Sequence, residues 1–468
     1  MKRTKIVATI GPSIDNEGVM EKLVLEGVNV FRFNFSHGNY EQHKKSLERV
    51  RRVSEKLGIK VAALMDLAGP KLRIGMVDKP FNVHKGDILQ IRLGNDIGTE
   101  GKIYINFPEI FESLKSDSFI YLADGTIKLK IIEKKSDVLK SEVISGGVIS
   151  SKKGLNFPNL KIKIPAVTEK DFEDIKFGIE NDFDFIALSF VKNRFDVIRA
   201  KEFIKLNGSD IPVFSKIEKH EAIENIDEIL EHSDGIMIAR GDMGIEIDME
   251  KVPVLQKMLI KKANESAKPV ITATQMLLTM VENMRPTRAE VSDVANAVLD
   301  GTDAVMLSDE TTIGKYPVEA VKVMSRIIVE AESIYNFNKN LLKKDLDMAI
   351  AEAGARLARD MDAHGIAVFT KSGATARRVS AARPKCNIYA IMTDERLLRR
   401  TCILWGVRPF MTTEDTKNSD ELLMNFLKRA SKELGDNKTF IATIGYPAGK
   451  VGSTNALRII NTSECGLS

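Results

Sequence analysis

The chain has 468 residues, of which 43% are hydrophobic and 29% charged, so it can build a large core and lacks the composition of a disordered segment. At about 100–200 residues per domain, this length predicts roughly two to four domains. Lys plus Arg total 69 against 65 Asp plus Glu, and the resulting net charge of +4 is too small and too dispersed to argue for a nucleic-acid partner.

Short apolar, β-branched runs with polar or glycine-containing tips recur along the chain, at 5–12, 28–38, 61–70, 183–191, 213–218, 235–244, 269–276 and 302–310. A segment of helical period follows in the recurring unit. The runs do not alternate with polar residues, as suits strands buried on both faces of a parallel sheet. Eight such units predict an α/β fold whose centre is a closed (β/α)8 TIM barrel. An open doubly wound sheet is the alternative, but no Gly-x-Gly-x-x-Gly follows the first run.

Between 74 and 162 the helical alternation stops. Strand-like runs at 88–93, 119–122 and 127–132, with a turn pair at Asp124-Gly125, predict a small all-β domain inserted after the third barrel strand. That strand end lies on the face where a barrel places its chemistry, so the insertion reads as a lid. The barrel then comprises 1–73 and 163–340. Thr168 with Asp171, and Thr287 with Glu290, mark helix starts, and Asp300-Gly301 marks a helix end. A hinge at 339–344 leads to a helix at 346–361. Strands at 366–370, 387–392 and 439–444 then predict a C-terminal α/β domain over 345–468.

The three cysteines, Cys386, Cys402 and Cys465, show no Cys-x-x-Cys spacing, which predicts a reducing, cytoplasmic setting rather than a disulfide or zinc framework. The apolar run at 6–10 is too short for a signal peptide, and no run is long enough to span a bilayer.

The strand tips are rich in functional groups. Glu218 and Asp242 end adjacent strands, and two carboxylates completed by substrate oxygens and water make a usual Mg²⁺ site. They can equally be solvated or salt-bridged acids. Lys216 lies two residues before Glu218 and so on the same strand face. A lysine beside a metal implies a shared anion. Arg32 and Asn34 share a face of strand two, and the arginine suits phosphate or carboxylate unless it pairs with Asp66 instead. Gly241 can bring backbone N–H groups close to an anion, or simply make a turn. Thr274 offers a hydroxyl that can relay a proton or serve structure alone. These residues describe a divalent-metal barrel enzyme acting on a small, multiply anionic substrate, with developing negative charge held by lysine and metal.

The strings Thr-Lys-Ile-Val-Ala-Thr-Ile-Gly-Pro (4–12), Arg-Phe-Asn-Phe-Ser-His-Gly (32–38), Ser-Lys-Ile-Glu (215–218), Ala-Arg-Gly-Asp-Met-Gly (239–244), Ala-Thr-Gln-Met-Leu (273–277) and Arg-Pro-Thr-Arg-Ala-Glu (285–290) resemble the pyruvate kinase family, as do 152–158 and 165–171. The resemblance runs from about residue 2 to the C-terminus. It implies phosphoryl transfer from phosphoenolpyruvate to ADP with Mg²⁺ or Mn²⁺, giving pyruvate and ATP, the last step of glycolysis. By that match Lys216 neutralises the phosphoryl group and the enolate, and Glu218 and Asp242 hold the metal. Arg32 clamps the phosphate, Gly241 contacts substrate, and Thr274 assists protonation of the enolate carbon. His37, Arg73 and Lys153 match nucleotide-side positions. The family is typically a homotetramer, so a homotetramer is expected here.

One segment departs from the pattern. Many members read Asp-Thr-Lys-Gly-Pro-Glu after strand three and bind K⁺. This chain has Asp66-Leu67-Ala68-Gly69-Pro70-Lys71, with Asn34, Ser36 and Asp66 retained. The Lys71 ammonium is expected to replace the monovalent cation, so that K⁺ is not required. In the third domain, Thr370-Lys371-Ser372-Gly373-Ala374-Thr375 resembles the family's effector loop and implies a phosphorylated allosteric ligand; a plain helix cap is the alternative. The loop 445–452 has no tryptophan and leaves the effector open. The competing functions are another metal-dependent enolate barrel enzyme, such as a mutase or aldolase, and an inactive regulatory homologue.

Overall fold

The computed structural model describes residues 2–123, 125–157, 160, 164–339, 345–414, 418–445 and 454–466. Eight parallel strands close into a barrel: Lys5–Thr9, Val30–Asn34, Ala62–Asp66, Phe185–Leu188, Val213–Ile217, Gly235–Ala239, Val270–Ala273 and Ala304–Leu307. Each pairs with its sequence neighbours, and the first also pairs with the eighth, Lys5 opposite Ala304. The expected (β/α)8 barrel and C-terminal α/β domain are what the chain forms, and the insertion is β-sheet with one short helix, Pro108–Ser113.

The strands are shorter than the apolar runs that signal them. The run at 235–244 is the clearest case. Its strand stops at Ala239, and Arg240–Glu246 is a short helix, so Asp242 sits in the first turn of that helix rather than on the strand. Period-two alternation is still present inside the barrel, hidden because both faces are apolar. Ile6, Ala8, Phe31, Phe33, Ala63 and Met65 join the layer under the surrounding helices. Their neighbours Val7, Val30, Ala62 and Leu64, with Phe214, Met237, Ile271 and Met306, fill the barrel centre.

The helices start and stop where side chains satisfy their end groups. The Thr168–Asp171 and Thr287–Glu290 capping boxes are both complete, and a third, Asn39 with Gln42, was not anticipated. Gly301 closes the helix Arg288–Asp300 at φ 101°, which favours glycine.

The insertion forms a six-stranded sheet and a separate two-stranded one. The sequence reading found Ile88–Leu93 and Phe119–Leu122. It undercounted Ile127–Lys135 and missed Phe81–Val83, Lys102–Ile105, Val138–Ser145, Gly147–Ile149 and Leu155–Asn156. Charged residues obscure these strands. Val138–Ser145 alternates between part-buried and buried positions, with Lys140 and Glu142 on the wetter side.

The C-terminal domain is a five-stranded sheet in the order Val407–Thr412, Asn387–Met392, Gly365–Phe369, Thr439–Gly445, Thr454–Asn461, the last antiparallel. The first and last of these were not anticipated. Its core continues the cluster that fills the barrel centre, through Leu404, Cys402 and Ile403. Arg383, 1% exposed, pairs with Asp303 at 2.8 Å and donates to Asn264 Oδ1 and the Gly301 carbonyl. Lys5 Nζ donates to the Val407 carbonyl at 2.5 Å, and Arg399 pairs with Asp184 at 2.9 Å. Asp303 and Asp184 precede strands eight and four, so this domain docks on the barrel's N-terminal end, leaving the C-terminal ends free for chemistry.

The Asp124 turn position, residues 158–159 and 161–163 at the end of the insertion, 340–344 of the expected hinge, the loop at 446–452 and the Cys465 side chain lie outside the described residues. Cys386 and Cys402 are free thiols, and burial pushes them up to about 11 and about 12. Among the described residues no helix is long and apolar enough to cross a membrane.

Candidate active site

Lys216 is the hub of the C-terminal face. It leaves strand five with its ammonium 3.2 Å from Asp66 Oδ1 and 3.0 Å from Glu218 Oε1, and donates to Ser189 Oγ at 2.8 Å. Burial alone would lower the pKa of this amine, but the Asp66 and Glu218 carboxylates outweigh it and raise the value above that of an ordinary lysine. The ammonium is therefore a fixed positive charge at any physiological pH. Burial likewise pushes the Asp66 carboxyl up, but Lys216 and Arg32 overcome this and hold it below the usual range. Asp66 is a permanent anion with two cations against it.

Arg32 donates from Nε to Asp66 Oδ2 at 2.6 Å and from Nη1 to Thr9 Oγ1 at 3.1 Å. The ion pair with Asp66 that the sequence offered as an alternative is thus present. The arginine also lines a cavity of about 540 Å³ together with Asn34, His37, Ser308 and Asp309. One edge of the guanidinium is anchored while the side chain borders open space.

Glu218, 1% exposed, accepts the Phe190 N–H at 3.0 Å on Oε2. Its Oε1 is buried against the Lys216 ammonium, 3.0 Å away. Burial raises its pKa, Lys216 lowers it, and the nearby Asp242 raises it further. Two like charges side by side suit a divalent cation, which would relieve the repulsion. Among the described residues no cluster of three or more His, Cys, Asp or Glu forms a closed metal cage. Two carboxylates instead leave coordination positions for substrate oxygens and water.

Thr274 and Gln275 follow strand seven in the left-handed region, at φ 69° and 56°. Such a turn in non-glycine residues is strained and must be held by its surroundings. Arg240 holds it, donating to the Ala273 and Thr274 carbonyls at 3.2 and 2.7 Å while paired with Asp293 at 2.6 Å. The Thr274 hydroxyl accepts the Gly241 N–H at 2.8 Å and donates to the Ala273 carbonyl at 2.7 Å. A Cβ placed on Gly241 would meet Thr274 first, no nearer than 3.5 Å. The fold does not require glycine there for room, so its value lies on the open side.

Asn34 Oδ1 accepts the Ser36 N–H at 3.1 Å, which puts those two side by side. Arg73 and Lys153 come together at the root of the insertion: Arg73 bridges to Gly154, and Ile74 N–H donates to the Lys153 carbonyl at 3.0 Å. His37 lies in the Arg32 cavity instead. Lys71 is exposed and lines a smaller cavity with Asp242, Lys219 and Asn156, whereas the cations paired with Asp66 are Arg32 and Lys216. At the expected effector loop, Gly373 has φ 79° and its N–H donates to Thr370 Oγ1 at 3.1 Å, so Thr370 already makes a local turn there. Thr375 shares a 2.7 Å hydroxyl contact with Thr454.

Sequence reasoning passed over Arg240, Ser189 and Glu310. Glu310 is buried and accepts the Leu277 and Ser308 N–H groups at 2.9 and 2.7 Å, tying strand eight to the turn after strand seven. Arg240 and Glu310 lie inside strings already singled out at the strand tips. Ser189 lies in an apolar run and gave no comparable signal.

Residues 1–321 match the family model described as pyruvate kinase, barrel domain, and residues 348–460 match pyruvate kinase, alpha/beta domain. Pyruvate kinases of Staphylococcus aureus strains MRSA252 and USA300 are each 42% identical over 470 residues, covering 98% of this chain and 80% of theirs. A crystal structure of a pyruvate kinase from Cryptosporidium parvum superposes with a TM-score of 0.92 at 35% identity, covering 98% of this chain and 96% of that one. The chain belongs to the pyruvate kinase family and is a divalent-metal-dependent phosphotransferase.

Proposed function

We propose that the Lys216 centre transfers the phosphoryl group of phosphoenolpyruvate to ADP, with Lys216, Arg32 and Thr274 as catalytic residues. The observation that carries this is the Lys216 ammonium, held between Asp66 and Glu218 at 3.2 and 3.0 Å. Glu218 and Asp242 would hold Mg²⁺ or Mn²⁺. A cation bound there supplies a second positive charge to the oxygens of the transferring group and the enolate. Lys216 presents a charge that no physiological pH removes. Arg32, anchored through Asp66, presents its remaining N–H groups to the phosphate. Gly241 leaves the substrate side of Thr274 open, and Thr274, whose own proton is held by the Ala273 carbonyl, assists protonation of the enolate carbon through a water that delivers the proton. Most of the acceleration comes from positioning and charge, as phosphoryl transfer requires.

The nucleotide is assigned to His37, Arg73 and Lys153. The insertion, residues 74–162, serves as the lid over the barrel of 1–73 and 163–340, excluding water from the transfer. The third domain, 345–468, is assigned a regulatory role, with 370–375 as the loop for a phosphorylated effector. The homotetramer expected from the family and the cytoplasmic location expected from the cysteine pattern complete the reading.

We infer that K⁺ is dispensable. Asn34, Ser36 and Asp66 mark the monovalent-cation position, but the usual glutamate is Lys71 here, and Asp66 is already met by two protein cations. A further monovalent charge has less to neutralise.

Pyruvate formation in Mg²⁺ by wild type, Lys216→Ala, Glu218→Gln and Asp242→Asn tests the assignment. All three variants are expected to fold and lose turnover. Retained turnover in Lys216→Ala would remove the centre from the reaction.

A further inference from the structure

We propose that Ser189, at the tip of strand four, is a positioning residue that aims the Lys216 ammonium. The inference rests on the reading of Lys216 given above. Ser189 is 2% exposed. Its hydroxyl has one proton and spends it on the Leu67 carbonyl at 2.7 Å, so its lone pairs face the lysine and accept Nζ–H at 2.8 Å. Leu67 follows Asp66 directly. The hydroxyl therefore fixes Lys216 to the same strand end that carries the Asp66 carboxylate.

The next residue completes the device. Phe190 is left-handed, φ 56°, and its N–H donates to Glu218 Oε2 at 3.0 Å. The strand-four tip thus grips both members of the Lys216–Glu218 pair, one by a side chain and one by the backbone. Gly69 packs against this tip at φ 63°. A Cβ there would stand 2.8 Å from the Phe190 ring and 3.1 Å from Ser189 Cβ. Glycine in the segment after strand three lets the tip come this close.

A lysine has several rotatable bonds, and two carboxylates alone leave its ammonium free to swing between them. The neutral Ser189 acceptor fixes a third direction without adding charge. Removing it leaves the charge in place but lets the geometry loosen, and a shift of about 1 Å costs about 10²-fold in rate.

The experiment compares wild type, Ser189→Ala, Ser189→Thr and Lys216→Ala for steady-state kinetics, melting temperature and exchange of pyruvate methyl protons with solvent. Ser189→Ala is expected to lower kcat by about 10- to 100-fold, with the phosphoenolpyruvate KM changed by less than about 3-fold. Proton exchange should fall in parallel, and Ser189→Thr, which keeps the hydroxyl, should recover most of the loss. A kcat within about 2-fold of wild type in Ser189→Ala overturns the proposal. So does a loss of melting temperature that Ser189→Thr shares without recovering kcat, since that marks a packing role. Retained activity in Lys216→Ala would overturn the underlying reading itself, a result distinct from either.

Discussion

Arg32 Nε donates to Asp66 Oδ2 at 2.6 Å, so the arginine assigned to the phosphate is aimed by a carboxylate that is itself fixed by Lys216. The two cations and the buried anion form one unit. Arg32→Lys keeps the charge but loses the fork that serves Asp66, Thr9 and substrate together. The account expects kcat/KM for phosphoenolpyruvate to fall by about 10²-fold with the fold intact. Steady-state kinetics with circular dichroism checks this; a change below threefold would mean the guanidinium geometry is not used.

Gly241 separates function from stability. An added Cβ would make contacts no tighter than the ordinary 3.5 Å approach to Thr274. Gly241→Ala should leave unfolding free energy within about 0.5 kcal/mol. It should still lower kcat/KM by about 10-fold or more, because the methyl group intrudes where substrate meets the Thr274 hydroxyl. Denaturant unfolding alongside kinetics would expose a purely structural glycine by a loss of stability without the kinetic change.

The joint between barrel and third domain carries a pH signature. Burial pushes the Lys5 amine down to about 8 from an unfolded value of 10.5. Below about pH 8 both states are protonated and the cost of burying the charge is fully present. As pH rises from 8 toward 10.5, the folded state sheds its proton first and that cost disappears. Lys5→Met should therefore gain on wild type at pH 7. The stability difference between the two should move toward wild type by about 3 kcal/mol between pH 7 and 11. The lost bond to the Val407 carbonyl adds only a constant offset. A pH-independent difference would contradict a buried, depressed lysine.

Arg383 offers a sharper stability test. It is buried with Asp303 as its ionic partner. Arg383→Leu strands that carboxylate and should cost about 3–5 kcal/mol in denaturant unfolding. Pairing it with Asp303→Asn should recover part of the loss. A cost under about 1 kcal/mol would show that the pair does not secure the domain.

Much of this was legible in the chain. The eight barrel strands stand out because both their faces are buried, leaving mainly apolar runs, and Lys216 and Glu218 lie together because strand residues two apart share a face. The limits are equally physical. In the run at 235–244, Arg240, Gly241 and Asp242 read equally well as the polar tip of a strand, so the change at Arg240 from strand to helix is not marked. Val138–Ser145 escaped notice because one side of it carries Lys140 and Glu142. The Phe190 contact to Glu218 uses a backbone N–H, which every residue but proline has, so no spacing could reveal it. Lys71 was tied to Asp66 by proximity in sequence, whereas Arg32 and Lys216 reach that carboxylate from neighbouring strands.

The most direct test is pyruvate formation from phosphoenolpyruvate and ADP in Mg²⁺, with K⁺ rigorously excluded and then restored, in wild type and Lys71→Glu. The account predicts turnover by wild type without K⁺, little changed when K⁺ is added, and a K⁺ response in Lys71→Glu. Turnover by wild type only with K⁺ would contradict the internal-cation reading, and folded protein making no pyruvate under either condition would contradict the assigned reaction.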